Sequence, residues 1–278
     1  MKKIEKPFLI RNTIAENRME RIRPLMGLIY EKKSILSGFR GSIAHGLTSR
    51  QEDDKMYGID DEDTFELYCY PTPYYLSLES YYHRGEVKEH KHDIHDEVQY
   101  EIRKAIHLLS GCNPNVMTFL YNKPEHYFNI SEGGKLLIKY RDIFLSRRRI
   151  YMAYSGYAYG QLKKLETGAF RGYMGEKRKK IVEEIGYDTK NAMTLVRLLR
   201  NGRELLETGT MQVFRDKDKE ELLEIKKGKY SIDDIQKLAD KEFHLNEEAY
   251  KQSKLPEENK RGTINELCVD LINMENTE

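Results

Sequence analysis

About midway along this chain the spacing of apolar residues changes from alternation to helical spacing, and it does not change back. That switch constrains the fold more than any single motif, because a period of two buries one face of a strand and a period near 3.6 buries one stripe of a helix. Ser34 to Phe39 is a short apolar run stopped by glycine and reads as a buried strand. From Ile59 to Tyr70, Phe65, Leu67 and Cys69 alternate with Glu66, Tyr68 and Tyr70, and Pro71 and Pro73 end the run. Residues 93–100 alternate again, with Ile94, Asp96, Val98 and Tyr100 on one face; from Glu101 the spacing becomes helical and closes at Gly111. An amphipathic helix is expected over 14–33, ending in Lys32-Lys33.

Beyond Ile150 helices are expected over Tyr151–Leu165, Gly175–Ile185, Lys190–Glu207, Asp218–Lys226, Ser231–Glu248 and Thr263–Ile272. Ser231 with Asp234 forms a capping pattern, an acid standing where Glu is preferred. The pattern predicts an α+β protein: a mixed sheet with flanking helices in 1–150 and an α-helical domain in 151–278.

Lys plus Arg number 47 and Asp plus Glu 46, so a net charge of +1 excludes a protein that holds nucleic acid or an anionic membrane by global charge. Any electrostatic site must be local. Cys69, Cys112 and Cys268 lack a paired spacing and are expected to be free thiols. The first residues carry no apolar run, and no stretch reaches the roughly 20 apolar residues of a membrane span, so a cytoplasmic protein is expected.

Five local constellations could carry chemistry. Gly41-Ser42 follows a strand and precedes a helix, a place where a bare backbone and a hydroxyl suit a phosphate. Residues 52–66 hold eight acids against one base. Within them Asp61 and Asp63 point the same way along a strand, and two such charges repel unless a cation lies between them. Oxygen-only ligands suit Mg²⁺ or Mn²⁺. Asp96 is in phase with Val98 and Tyr100 and could face the same site from a neighbouring strand, with Asp93 and Glu97 as competitors one register away. Residues 171–203 carry nine Lys or Arg against four acids, with Lys190 and Arg197 on one helix able to reach phosphate oxygens. Arg147-Arg148-Arg149 is ambiguous between a site and a solvated face, and His90, His92 and His95 lack the fourth soft ligand of a zinc site.

Taken in order, Gly41-Ser42-Ile43-Ala44-His45-Gly46, Gly58-Ile59-Asp60-Asp61-Glu62-Asp63 and Tyr70-Pro71-Thr72-Pro73-Tyr74-Tyr75-Leu76 resemble the DNA polymerase β-like nucleotidyltransferases, in particular the bacterial and phage branch associated with RNA repair. The likeness continues through Cys112-Asn113-Pro114-Asn115-Val116, Tyr187-Asp188-x-Lys190, Arg197-Leu198-Leu199 and Ile264-Asn265-Glu266-Leu267, covering the chain from about Leu36 to Leu271. It implies a minimal polymerase β-like palm followed by a helical domain. Gly41 and Ser42 would hold the triphosphate, Asp61 and Asp63 would ligate Mg²⁺ or Mn²⁺, and Asp96 would be the third acid. The loop after Gly46 is long, which leaves Asp53 and Asp54 as an alternative pair, and Thr194 stands where many relatives have a histidine.

The expected activity is metal-dependent transfer of a nucleoside monophosphate from an NTP to a hydroxyl, releasing pyrophosphate, with a tRNA-like RNA 3′ end as acceptor. Nucleotidylation of a protein side chain and a silent nucleotide- or RNA-binding module are the alternatives.

Overall fold

The computed structural model describes residues 31–48, 62–77, 87–92, 95–167 and 176–276. Five strands form one mixed sheet: β1 (Lys33–Phe39), β2 (Glu62–Cys69), β3 (Val87–His92), β4 (His95–Glu101) and β5 (Tyr127–Ile130), in the order β3-β4-β2-β1-β5. β1 pairs antiparallel with both β2 and β5, β3 pairs antiparallel with β4, and β2 and β4 run parallel. Ile35, Leu36, Phe65, Leu67 and Val98 are buried, so the expected apolar run of β1 and the expected alternation of β2 and β4 are what seat them on the core.

Short helices cover the sheet: α1 (Gly41–His45), α2 (Thr72–Leu76), α3 (Ile102–Ser110), α4 (Pro114–Met117) and α5 (Glu132–Lys139). Each longer one starts at an identifiable cap. Glu101, fully buried, accepts from the Arg103 amide at 3.1 Å to open α3, and Ser131 accepts from Gly134 at 3.1 Å to open α5. A helical array follows: α6 (Arg147–Thr167), α7 (Glu176–Ile185), α8 (Thr189–Thr208), α9 (Lys219–Lys226), α10 (Ile232–Gln252) and α11 (Arg261–Met274). α10 opens on a reciprocal capping box of Ser231 and Asp234. α6 starts four residues before its expected Tyr151, because the Ser146 hydroxyl accepts from the Arg149 amide at 3.2 Å.

α8 lies at the centre of the helices, with twelve of its residues buried between α6, α9 and α10. One apolar core runs from Ile35 through Leu199 to Leu271, continuous from the sheet into the helices. Some expectations need correcting. The 14–33 helix does not reach its expected end: Lys33 opens β1 opposite Cys69, and Lys32 donates to Glu66 at 2.5 Å; residues 14–30 lie outside those described. β3 was not expected, since Lys88, Glu89, His90 and Lys91 carry no apolar signal, and neither were β5 and α5. Cys69, Cys112 and Cys268 are free, as expected, and burial pushes the Cys112 thiol up to about 12. No helix among the described residues is long and apolar enough to cross a membrane.

Candidate active site

The parallel pairing of β2 with β4 sets Asp63 opposite Asp96. Register partners in a parallel ladder present their side chains on the same face, with their strands about 4.8 Å apart. Two residues on, Phe65 and Val98 are buried on that face, so the carboxylates stand where the core ends at the strand starts. A chain bend after β1 brings Gly41 against this edge. The Arg40 amide donates to the Asp63 carbonyl at 2.8 Å, and the Arg40 guanidinium lies 3.5 Å from the Asp63 carboxylate. Gly41 takes φ +63°, and a Cβ there would fall 2.1 Å from Asp63 Oδ2. Only glycine permits both the backbone conformation and the approach.

Behind this edge lies a cavity of about 220 Å³ with a mostly polar wall. Arg40, Gly41, His45 and Asp63 line it from the sheet side, Asn115, Thr118 and Phe119 from the short helices, and Tyr154, Tyr157, Arg197 and Asn201 from α6 and α8. Three of these residues carry a buried N–H donor with no partner among the described residues: Arg40 Nε, Arg197 Nε and Asn201 Nδ2. Arg197 has no ion pair or hydrogen bond among the described residues. Burial, and then the nearby Arg215, lower its pKa to about 10, so it stays a cation at neutral pH. A half-buried cation without an ion pair among the described residues, beside an orphaned donor of Arg40, is costly, and an anion in the cavity would relieve that cost. His45 is buried, with Nδ1 3.0 Å from the Val213 carbonyl. Burial, followed by the charges of Arg197 and Arg215, holds its pKa well below the usual imidazole value, so the ring is neutral.

The predicted residues divide clearly. Gly41, Asp63 and Arg197 line the cavity, and Asp96 neighbours Asp63 in the sheet. Ser42 and Lys190 do not line it; Lys190 is exposed at the start of α8, two turns from Arg197. Asp61, Asp53, Asp54 and Asp93 lie outside the described residues. Glu97 pairs in register with Thr64, off the carboxylate face. Part of the basic 171–203 stretch is committed internally: Arg200 bonds Asp218 and Glu242, and Arg203 bonds Glu242. Arg147, Arg148 and Arg149 pair with Glu257 and Glu258. His92 and His95 are register partners in the β3–β4 ladder. Among the described residues no group of three or more His, Cys, Asp or Glu could hold a metal ion.

Among the wall residues not singled out from sequence are Arg40, His45, Asn115 and Asn201. His45 and Asn115 lie inside motifs of the resemblance and could have been found there. Arg40 and Asn201 carry no sequence signal, being an ordinary strand-end base and an ordinary helix-interior amide.

Residues 15–270 match the RNA repair pathway DNA polymerase beta family. Among solved structures, a nucleotidyltransferase-like protein from Exiguobacterium sibiricum is 12% identical, covering 85% of this chain and 74% of its own, with a TM-score of 0.29. No curated protein matches the chain.

Proposed function

The chain belongs to the RNA repair pathway DNA polymerase beta family, and from that membership we propose that it transfers a nucleoside monophosphate from an NTP to the 3′-hydroxyl of an RNA, releasing pyrophosphate. One observation carries this reading: the carboxylate edge, Gly41 and the orphaned Arg40 Nε open onto a cavity whose far wall holds Arg197, which has no ion pair among the described residues. A triphosphate supplies the acceptor oxygens those donors lack.

The donor chemistry of the edge fits a divalent cation. Asp63 and Asp96 offer only oxygens on one face, which suits Mg²⁺ or Mn²⁺, and Asp61 is proposed to complete the set. When bound there, such an ion neutralises phosphate charge and acidifies the attacking hydroxyl. The chain's own residues do the rest. Gly41 lets backbone come close to phosphate oxygens, with Ser42 beside it, and Arg197 and Arg40 bind and orient the triphosphate in line with the acceptor. The acceptor oxygen attacks the α-phosphorus, the bond to the β-phosphate breaks, and the hydroxyl proton passes to the Asp96 carboxylate. Lys190 is left to contact the approaching RNA from the rim.

The test is incubation with each labelled NTP, Mg²⁺ and total cellular RNA and protein, resolved with and without RNase. Label on RNA, lost by on the order of 10³-fold in Asp63→Asn, Asp96→Asn and Asp61→Asn, is expected. Label that survives RNase but not protease would move the acceptor to a protein. Folded wild type that binds NTP and labels nothing would leave a binding module instead.

A further inference from the structure

One loop dictates the hydrogen-bonding polarity of two residues of the cavity wall. The Val213 carbonyl can only accept, so the proton of the neutral His45 ring sits on Nδ1, 3.0 Å away, and Nε2 carries the lone pair. Nε2 has no partner among the described residues. Two residues on, the Arg215 amide donates to the His45 carbonyl at 3.0 Å, and the Arg215 guanidinium donates to Asn201 Oδ1 at 2.7 Å. A guanidinium can only donate, so the Asn201 amide is held with its oxygen toward Arg215 and its NH₂ away from it. Asn201 is fully buried, and that NH₂ is one of the orphaned donors of the wall. Gly46 closes the arrangement: at φ +68° it lets the Phe214 ring come within 2.7 Å of where a Cβ would stand.

A neutral acceptor is of no use to phosphate, whose oxygens need donors. His45 Nε2 must therefore meet a ligand group that donates, and Asn201 on the same cavity wall a group that accepts. A hydroxyl does both at once. We infer that His45 and Asn201 read a hydroxyl of the nucleotide's ribose, Nε2 accepting from it and Nδ2 donating to it, and that the 213–215 segment positions both, Val213 through its carbonyl to the His45 ring and Arg215 through its guanidinium to the Asn201 amide. Arg215 does not touch the ligand: its side chain is 3% exposed and is spent on Asp218, Glu204, Asn201 and the Gln212 carbonyl. This inference rests on the nucleotide reading of the cavity.

Calorimetry with tripolyphosphate, each NTP, and the matching 2′-deoxy and 3′-deoxy triphosphates tests it. One deoxy series should bind the wild type about tenfold more weakly than the NTPs, the worth of about one hydrogen bond, and which series does so names the hydroxyl. That difference should shrink below about twofold in His45→Leu, Asn201→Leu and Arg215→Lys, and survive in part in His45→Gln, which keeps an acceptor. Tripolyphosphate affinity should stay within about twofold throughout, which a merely structural loss would not allow. Equal binding of both deoxy series to the wild type, or discrimination that survives in folded His45→Leu, overturns the inference. The wild-type comparison needs no variant, so a substitution that unfolds the chain does not rescue it. If neither tripolyphosphate nor any NTP binds, the nucleotide reading itself falls; tripolyphosphate binding without discrimination sinks the inference alone.

Discussion

Gly41 is the residue at which backbone conformation and chemistry meet. Alanine there would need a left-handed backbone and would drive its Cβ into the Asp63 carboxylate, 2.1 Å away. Gly41→Ala should therefore cost about 1–3 kcal/mol of stability and displace the proposed catalytic carboxylate. Transfer should fall by on the order of 10²-fold or more while the fold survives, since misplacing a reacting group by an ångström is enough. Circular dichroism beside single-turnover labelling checks this; full activity would mean that Asp63 can move without consequence. His45 gives a second prediction at this scale. Burial and the charges of Arg197 and Arg215 hold its folded pKa well below 6.5, so below pH 6.5 the unfolded chain takes up a proton that the folded chain refuses. The associated stability is fully present above about pH 6.5 and is lost as pH falls from there toward the folded pKa. Urea midpoints at pH 8, 6 and 5 should drop more in wild type than in His45→Gln, and parallel curves would remove His45 from the account.

Along α8 two arginines one turn apart have opposite fates. Arg197 faces the cavity with no ion pair among the described residues, whereas Arg200 bonds Asp218, Glu221 and Glu242 in a buried network that Arg203 joins. Removing Arg200 leaves Glu242, 3% exposed, with a weakened set of partners, so Arg200→Ala should cost about 3–5 kcal/mol in denaturant unfolding. Exposed Lys190 at the same helix's start should cost under about 0.5 kcal/mol as Lys190→Ala. A small loss for Arg200→Ala would mean that the network is solvated. This helix also shows how far the sequence can be read. Its apolar stripe of Ala192, Leu195, Val196 and Leu199 is periodic and local, so its extent was legible to within a residue or two. The partners of Arg197, Arg200 and Arg203 were not, because charge reads alike whether it faces Glu242 across 39 residues or open solvent. Similarly, the phase of Asp96 with Val98 could be read along one strand, and its neighbour could not, because register between strands is a long-range property. β3 and β5 escaped for a different reason: at the sheet's edges, Lys88, His90, Phe128 and Asn129 need not alternate.

At the scale of the whole molecule, the proposed division into a palm over 1–150 and a helical domain over 151–278 meets a core and a cavity that cross it. Buried Lys226 donates to the Leu47 carbonyl at 3.0 Å, His45 is held by Val213 and Arg215, and Gly41 and Arg197 line one cavity from opposite sides. A ligand seated there touches both parts at once, so its binding free energy should count toward the stability of the two together. At about 100 times its dissociation constant it adds about 2.7 kcal/mol, and at about 2–4 °C per kcal/mol for a chain of this size the melting temperature should rise by about 5–10 °C. Tripolyphosphate or an NTP should thus shift a single calorimetric transition upward as one peak. Arg197→Met, which removes a cation that no carboxylate partners among the described residues, should melt at least as high as wild type without ligand and lose most of the shift with it. Two transitions, only one of them moved by ligand, would instead make the palm and the helices independent folding units and place the ligand in one of them. A full shift in Arg197→Met would remove Arg197 from the phosphate site and leave Arg40 to hold the anion.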